Sequence, residues 1–124
     1  MTQPLSVLIV EDEPLIAMML EDFVDALGHR VAGTVDNVSA ALDHIRTTPF
    51  DMAILDVHLR GGEPSWAVAD ALADQGKAFV VATGGMIDPP PARHADCPTL
   101  PKPFTLDRVE SALEGLRTAG VSQD

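Results

Sequence analysis

Short aliphatic runs alternate along this chain with stretches of helical periodicity. Leu5–Val10 is too short for a helix and reads as a strand buried on both faces. From Pro14 the pattern changes: Ile16, Met19, Leu20, Phe23 and Leu27 recur at helical spacing, and Gly28 closes the segment. Arg30–Val35 predicts a second strand. Asp36 or Asn37 is placed to cap a second helix with Val38, Ala41, Leu42 and Ile45 on one face. Met52–Leu55 is a third apolar run and ends in Asp56. Gly61, Gly62 and Pro64 mark a loop and a helix start, with Trp66, Ala69 and Leu72 on the buried side. Ala78–Ala82 is a fourth strand, stopped by Thr83-Gly84-Gly85, and Thr99-Leu100 a very short fifth. Thr105 then caps a last helix with Leu106, Val109, Leu113 and Leu116 in register. In residues 84–98, Pro89, Pro90, Pro91 and Pro98 predict a short or irregular fourth helix. Strands alternating with helices predict a doubly wound α/β fold, a parallel sheet with helices on both faces.

The length of 124 residues fits one domain over 1–124, with an ordered core over about 4–119 and no output domain. Folding at that size buries roughly two thirds of the unfolded surface. The net charge of −11 disfavours nucleic acid and anionic membrane surfaces, which require clustered Lys and Arg. The lone Cys97 excludes an internal disulfide and a multi-cysteine zinc site, and a packed apolar role is expected for it. No basic leader with a long apolar run opens the chain, so a cytoplasmic location is expected. His29, His44, His58 and His94 lack metal-ligand spacing and are expected at the surface. Trp66 is expected on the core face of its helix.

Ligands of open α/β sheets bind outside the carboxyl ends of the strands. The first strand ends in Glu11-Asp12, the third in Asp56 and the fourth in Thr83, and the fifth approaches Lys102. In the strand order 2-1-3-4-5, common among flavodoxin-like folds, these tips are neighbours. Carboxylates converging on one rim repel one another unless a cation compensates, and hard oxygen ligands on an open rim suit Mg²⁺. A Lys ammonium and a Thr hydroxyl opposite could hold the oxygens of a phosphoryl group. The set suits phosphoryl transfer, with Asp56 as nucleophile. Taken singly, each tip has a plainer reading. Glu11, Asp12 and Glu13 could be negative charge at a helix N-terminus, Asp56 a turn residue, Thr83 a strand exit and Lys102 a solvated loop charge. Their joint occurrence on neighbouring tips is what favours chemistry.

The segments VLIVEDEP at 7–14, MAILDVHL at 52–59, VVATGG at 80–85 and LPKPF at 100–104 resemble the receiver domain of two-component response regulators. The resemblance covers essentially the whole chain. It implies that Asp56 is the phosphoacceptor, charged by a sensor histidine kinase or a histidine phosphotransfer protein. It further implies Mg²⁺ (or Mn²⁺) held directly by Asp12, through water by Glu11, and by Asp56 and the backbone carbonyl of His58. Thr83 and Lys102 would bind the phosphoryl oxygens, and the peptide before Pro103 would be cis. Such a domain assists its own phosphorylation and dephosphorylation and is not a metabolic enzyme. Output would pass to a downstream protein, by binding or onward phosphotransfer, and receivers often form a homodimer through the last helix and strand.

Two departures stand out. Thr99 occupies the place of the aromatic switch residue, three positions before Lys102, and Arg60 stands where proline is common. With Thr83-Gly84-Gly85, this looks similar to the subgroup with a Phe-Ala-Thr-Gly-type motif, associated with general stress signalling. Activation is then expected to order residues 84–98 instead of turning an aromatic ring. A binding-only pseudo-receiver is the alternative. An aspartyl phosphatase is disfavoured because His58 stands where a second acid is needed, and a nucleotide-binding protein because no phosphate-binding glycine loop is present.

Overall fold

The computed structural model describes residues 4–59, 63–83, 94, 98–101 and 104–121; for 58, 59, 63, 64, 83, 101 and 118–121 only the backbone course is described. The elements run β1 (Ser6–Val10), α1 (Pro14–Ala26), β2 (Arg30–Val35), α2 (Val38–Thr47), β3 (Met52–Asp56), β4 (His58–Leu59), β5 (Glu63–Pro64), α3 (Trp66–Asp74), β6 (Ala78–Thr83), β7 (Thr99–Pro101) and α4 (Leu106–Val121). Five strands form one parallel sheet in the order β2-β1-β3-β6-β7, which is the expected doubly wound, flavodoxin-like arrangement. The expected irregular helix within 84–98 falls, apart from His94 and Pro98, outside the described residues, as does the peptide before Pro103.

Alternation along the strands divides the core in two. Val7 and Ile9 of β1 and Met52 and Ile54 of β3 face α1 and α4, where Leu20, Val24, Val109, Leu113 and Leu116 are buried. Leu8, Val10, Ala53 and Leu55 face α2 and α3, against Ala41, Ile45, Val68, Ala69 and Leu72. Both faces of the central strands are therefore covered, which explains their unbroken aliphatic character. The expected caps are present at two helices. Asn37 Oδ1 accepts from Ala40 N at 2.8 Å, and Thr105 Oγ1 from Arg108 N at 3.3 Å. Gly28, just past α1, has φ +84°, a conformation that glycine reaches without Cβ strain.

Four expectations are corrected. β4 and β5 pair antiparallel as a two-stranded ribbon between β3 and α3, and Pro64 belongs to that ribbon instead of opening the helix. Leu106 is 39% exposed, because at the first position of α4 it lies before the turns that cross the sheet. His94 is buried, with 4% of its surface exposed, because Trp66, Phe79 and Asp70 enclose it. His29 and His44 are half-buried. His29 Nδ1 accepts from Leu5 N at 3.0 Å at the amino edge of the sheet, and His44 packs on Phe50 with ring centroids 6.1 Å apart.

Candidate functional site

The carboxyl edge of the sheet gathers the acidic residues. Parallel pairing of β1 with β3 sets Val10 beside Leu55, so the residues that follow, Glu11 and Asp56, leave the sheet side by side. Carboxylate oxygens of Glu11, Asp12 and Asp56 all lie within 4.8 Å of one another. Glu11 is 2% exposed and Asp56 8%, so two of the three are nearly withdrawn from water. The Glu11 backbone N–H donates to Val35 O at 3.0 Å, which fixes the chain as it turns from β1 towards α1. Its side-chain Oε2 accepts from Glu13 N at 3.2 Å, at the free amino end of that helix. Glu11 therefore braces the loop and faces the cluster at once.

Asp56 closes β3, the central strand, and pairs with Ala82 of β6. Thr83 is the next residue on β6, and its backbone is in register with Pro101 of β7. The expected hydroxyl-bearing position thus follows directly after the residue that faces Asp56. Lys102 lies outside the described residues; the chain enters it from Pro101, opposite Thr83. The side chain of His58 is also outside the described set, while its backbone begins β4, two residues beyond Asp56. Thr99, where the resemblance led a switch residue to be expected, is exposed at the start of β7.

The acidic cluster is built from hard oxygen donors only, which is the donor chemistry Mg²⁺ selects over softer metals. Three like charges this close, two of them buried, are an arrangement that a small divalent cation offsets. Among the described residues, this is also the one group of three or more His, Cys, Asp or Glu side chains close enough to share an ion.

The family model of the response regulator receiver domain matches residues 7–81. This chain belongs to that family. The matched stretch runs from β1 into β6 and includes all three cluster carboxylates. The solution structure of SdrG from Sphingomonas melonis Fr1 is similar over 94% of this chain and 98% of that one, with 53% identity and a TM-score of 0.82. SdrG in its BeF3-activated conformation, from Pseudomonas melonis Fr1, is 53% identical over 93% of this chain and 98% of that one, with a TM-score of 0.78. The receiver domain of the response regulator PhyR from Erythrobacter litoralis is 27% identical over 93% of this chain and 91% of its own, with a TM-score of 0.77. The sensor histidine kinase GacS of Pseudomonas protegens is 38% identical over 55 residues, which is 44% of this chain and only 6% of that kinase. No helix among the described residues of this receiver is long and apolar enough to cross a membrane.

Sequence reasoning missed the environment of His94. Its Nε2 lies 2.7 Å from Asp70 Oδ1, its ring stacks on Trp66 with centroids 5.7 Å apart and planes at 14°, and Phe79 meets it edge-on at 5.8 Å. No periodicity signals this in a proline-rich stretch. The one available cue was Trp66 and Asp70, one turn apart on the same helix.

Proposed function

We propose that this receiver is a phosphoryl-accepting switch of a phosphorelay, with Asp56 as the acceptor. The observation that supports this most is the convergence of Glu11, Asp12 and Asp56 within 4.8 Å at the carboxyl edge of the sheet, with Asp56 ending the central strand. A carboxylate oxygen of Asp56 attacks the phosphorus of a phosphohistidine. The new P–O bond forms as the P–N bond breaks, and the imidazole leaves with the electron pair of that bond. Thr83 supplies a hydroxyl and Lys102 an ammonium to the phosphoryl oxygens. Asp12, Asp56 and the His58 carbonyl, with Glu11 through water, would hold Mg²⁺ (or Mn²⁺), which would supply neutralisation of the negative charge that builds on those oxygens.

The donor is a sensor histidine kinase or a histidine phosphotransfer protein, a reading supported by the likeness to a segment of the kinase GacS. Likeness to SdrG, which has a BeF3-activated conformation, supports control by a phosphoryl-like group on an acidic side chain. Thr83-Gly84-Gly85 together with Thr99 supports membership of the subgroup with a Phe-Ala-Thr-Gly-type motif, which lacks an aromatic switch residue. The domain works in the cytoplasm, assists its own phosphorylation and dephosphorylation, and signals through a downstream protein, through onward phosphotransfer, or as a homodimer.

Incubation with Mg²⁺ and acetyl phosphate, followed by intact mass, tests this. One phosphoryl group should add to the native chain, depend on Mg²⁺, and be absent from Asp56→Asn. No addition, with Mg²⁺ still binding, would overturn the reading in favour of a binding-only pseudo-receiver.

A further inference from the structure

Thr99 leaves this receiver without an aromatic ring at the switch position, yet a stacked aromatic pair stands elsewhere, joined to the acceptor strand through the backbone. Val57 follows Asp56 directly. Its N–H donates to Ala82 O at 3.4 Å, a long bond, and its carbonyl accepts from Ser65 N at 2.9 Å. Ser65 immediately precedes Trp66, the first residue of α3. The Trp66 ring lies parallel to that of His94, and Asp70, one turn along α3, reaches His94 Nε2 at 2.7 Å. A continuous route therefore runs from Asp56 through Val57, Ser65 and Trp66 to His94.

We propose that the Trp66–His94 stack is the element through which the state of Asp56 reaches the chain between β6 and β7. The inference rests on the phosphoacceptor reading of Asp56.

Two features make this joint responsive. The first is the Val57 N–H, the nearest backbone donor following Asp56 in the chain. A phosphoryl group on Asp56 replaces the single charge of the carboxylate with roughly −1.5 to −2, a net gain of up to about one negative charge, and brings three strong acceptor oxygens. It competes for that donor, whose present bond to Ala82 is already stretched. The second is Ser65, fully buried, whose Oγ has no hydrogen-bond partner among the described residues. A buried hydroxyl left unsatisfied costs free energy, so the resting arrangement leaves room for a competing one in which it is paired. Movement of the Val57–Ser65 link tilts the first turn of α3, and with it the indole. His94 is enclosed by Trp66, Phe79 and Asp70, so a shift of the indole alters the stack and the Asp70 contact together. Coupling of this kind requires the phosphoryl group to favour one arrangement over the other, and the contest for the Val57 N–H supplies that difference.

The test uses the full chain with Mg²⁺ and trifluoroberyllate, followed by NMR, with intact mass after acetyl phosphate as the independent check on Asp56. In the native chain the Val57 and Ser65 amides, the Trp66 indole N–H and the His94 ring protons should shift together, and amide exchange next to His94 should change severalfold. In Trp66→Phe, which keeps an aromatic ring on the imidazole, the response at His94 should persist. In Trp66→Ala it should vanish while Val57 and Ser65 still respond. A native chain that gains a phosphoryl group by mass while the Trp66 and His94 signals stay in place would overturn the inference and leave the acceptor reading intact. A chain that gains none would overturn both, and Trp66→Phe keeps the test informative if Trp66→Ala does not fold.

Discussion

Gly33 of β2 and His44 of α2 fit together only because position 33 has no side chain. A Cβ built on Gly33 would overlap the His44 ring, with Nε2 nearest and Cδ2 at 3.0 Å. The site coincides with an irregularity of the sheet, where Val7 pairs with Val31 but Leu8 with Gly33, leaving Ala32 without a partner. A bulge beside a close approach is a common setting for a strand glycine.

Gly33→Ala should therefore destabilise the fold by about 1–3 kcal/mol, as overpacking does, although alanine suits a strand better than glycine. The clash lies with a side chain on a neighbouring element, so it should be relieved by removing that side chain. Denaturant unfolding of Gly33→Ala, His44→Ala and the double variant forms a cycle. The cost of Gly33→Ala should fall towards zero in the His44→Ala background. An unchanged cost would mean that position 33 is constrained by backbone and not by the ring.

Asn37 caps α2 with one hydrogen bond, from Ala40 N to Oδ1 at 2.8 Å. Asn37→Ala should cost about 1 kcal/mol, and Asn37→Ser should recover most of it because a hydroxyl can accept from the same N–H. The midpoint of urea unfolding checks both, with the slope expected to stay constant.

The last helix separates residues that share one sequence pattern. Leu106 and Leu113 both fit the apolar stripe, yet Leu113 is fully buried and Leu106 is 39% exposed. Leu113→Ala should cost about 2–5 kcal/mol through lost burial and a residual cavity. Leu106→Ala should stay within about 0.5 kcal/mol of the native chain. Equal losses by thermal unfolding would show that the first turn of α4 is covered in solution.

That contrast indicates how far the sequence carries. Strands such as Met52–Asp56 are legible because a strand buried on both faces must be aliphatic throughout, and the polar residue that ends it marks the carboxyl edge of the sheet. The cluster of Glu11, Asp12 and Asp56 follows once strands are parallel and neighbours are known. The strand order itself is not written in periodicity and was adopted as the order common among flavodoxin-like folds. The β4–β5 ribbon was missed because two-residue strands carry no periodic signal. Burial of His94 was missed because its enclosure comes from Trp66, Asp70 and Phe79, on elements distant in sequence. The exposure of Leu106 depends on where α4 starts relative to the sheet, and a helical wheel does not contain that information.

The acidic cluster makes a prediction with opposite signs in two conditions. Without a divalent cation, Asp12 adds a third negative charge within 4.8 Å of two largely buried carboxylates. Asp12→Asn removes that repulsion while keeping the shape, so the metal-free variant should be at least as stable as the native chain. Mg²⁺ should then reverse the order. A ligand that binds only the folded state stabilises it by about 2.7 kcal/mol at one hundred times its dissociation constant, and the variant, short of one anionic oxygen donor, should gain far less. Glu11→Gln is the useful companion, because the amide oxygen can still accept from Glu13 N and so preserves the loop while removing charge. Thermal unfolding across a Mg²⁺ titration, with and without chelator, reads all three chains. A native chain whose unfolding temperature ignores Mg²⁺ at millimolar levels would remove the cation from this site, and the phosphoryl chemistry proposed for Asp56 would lose its main source of charge compensation.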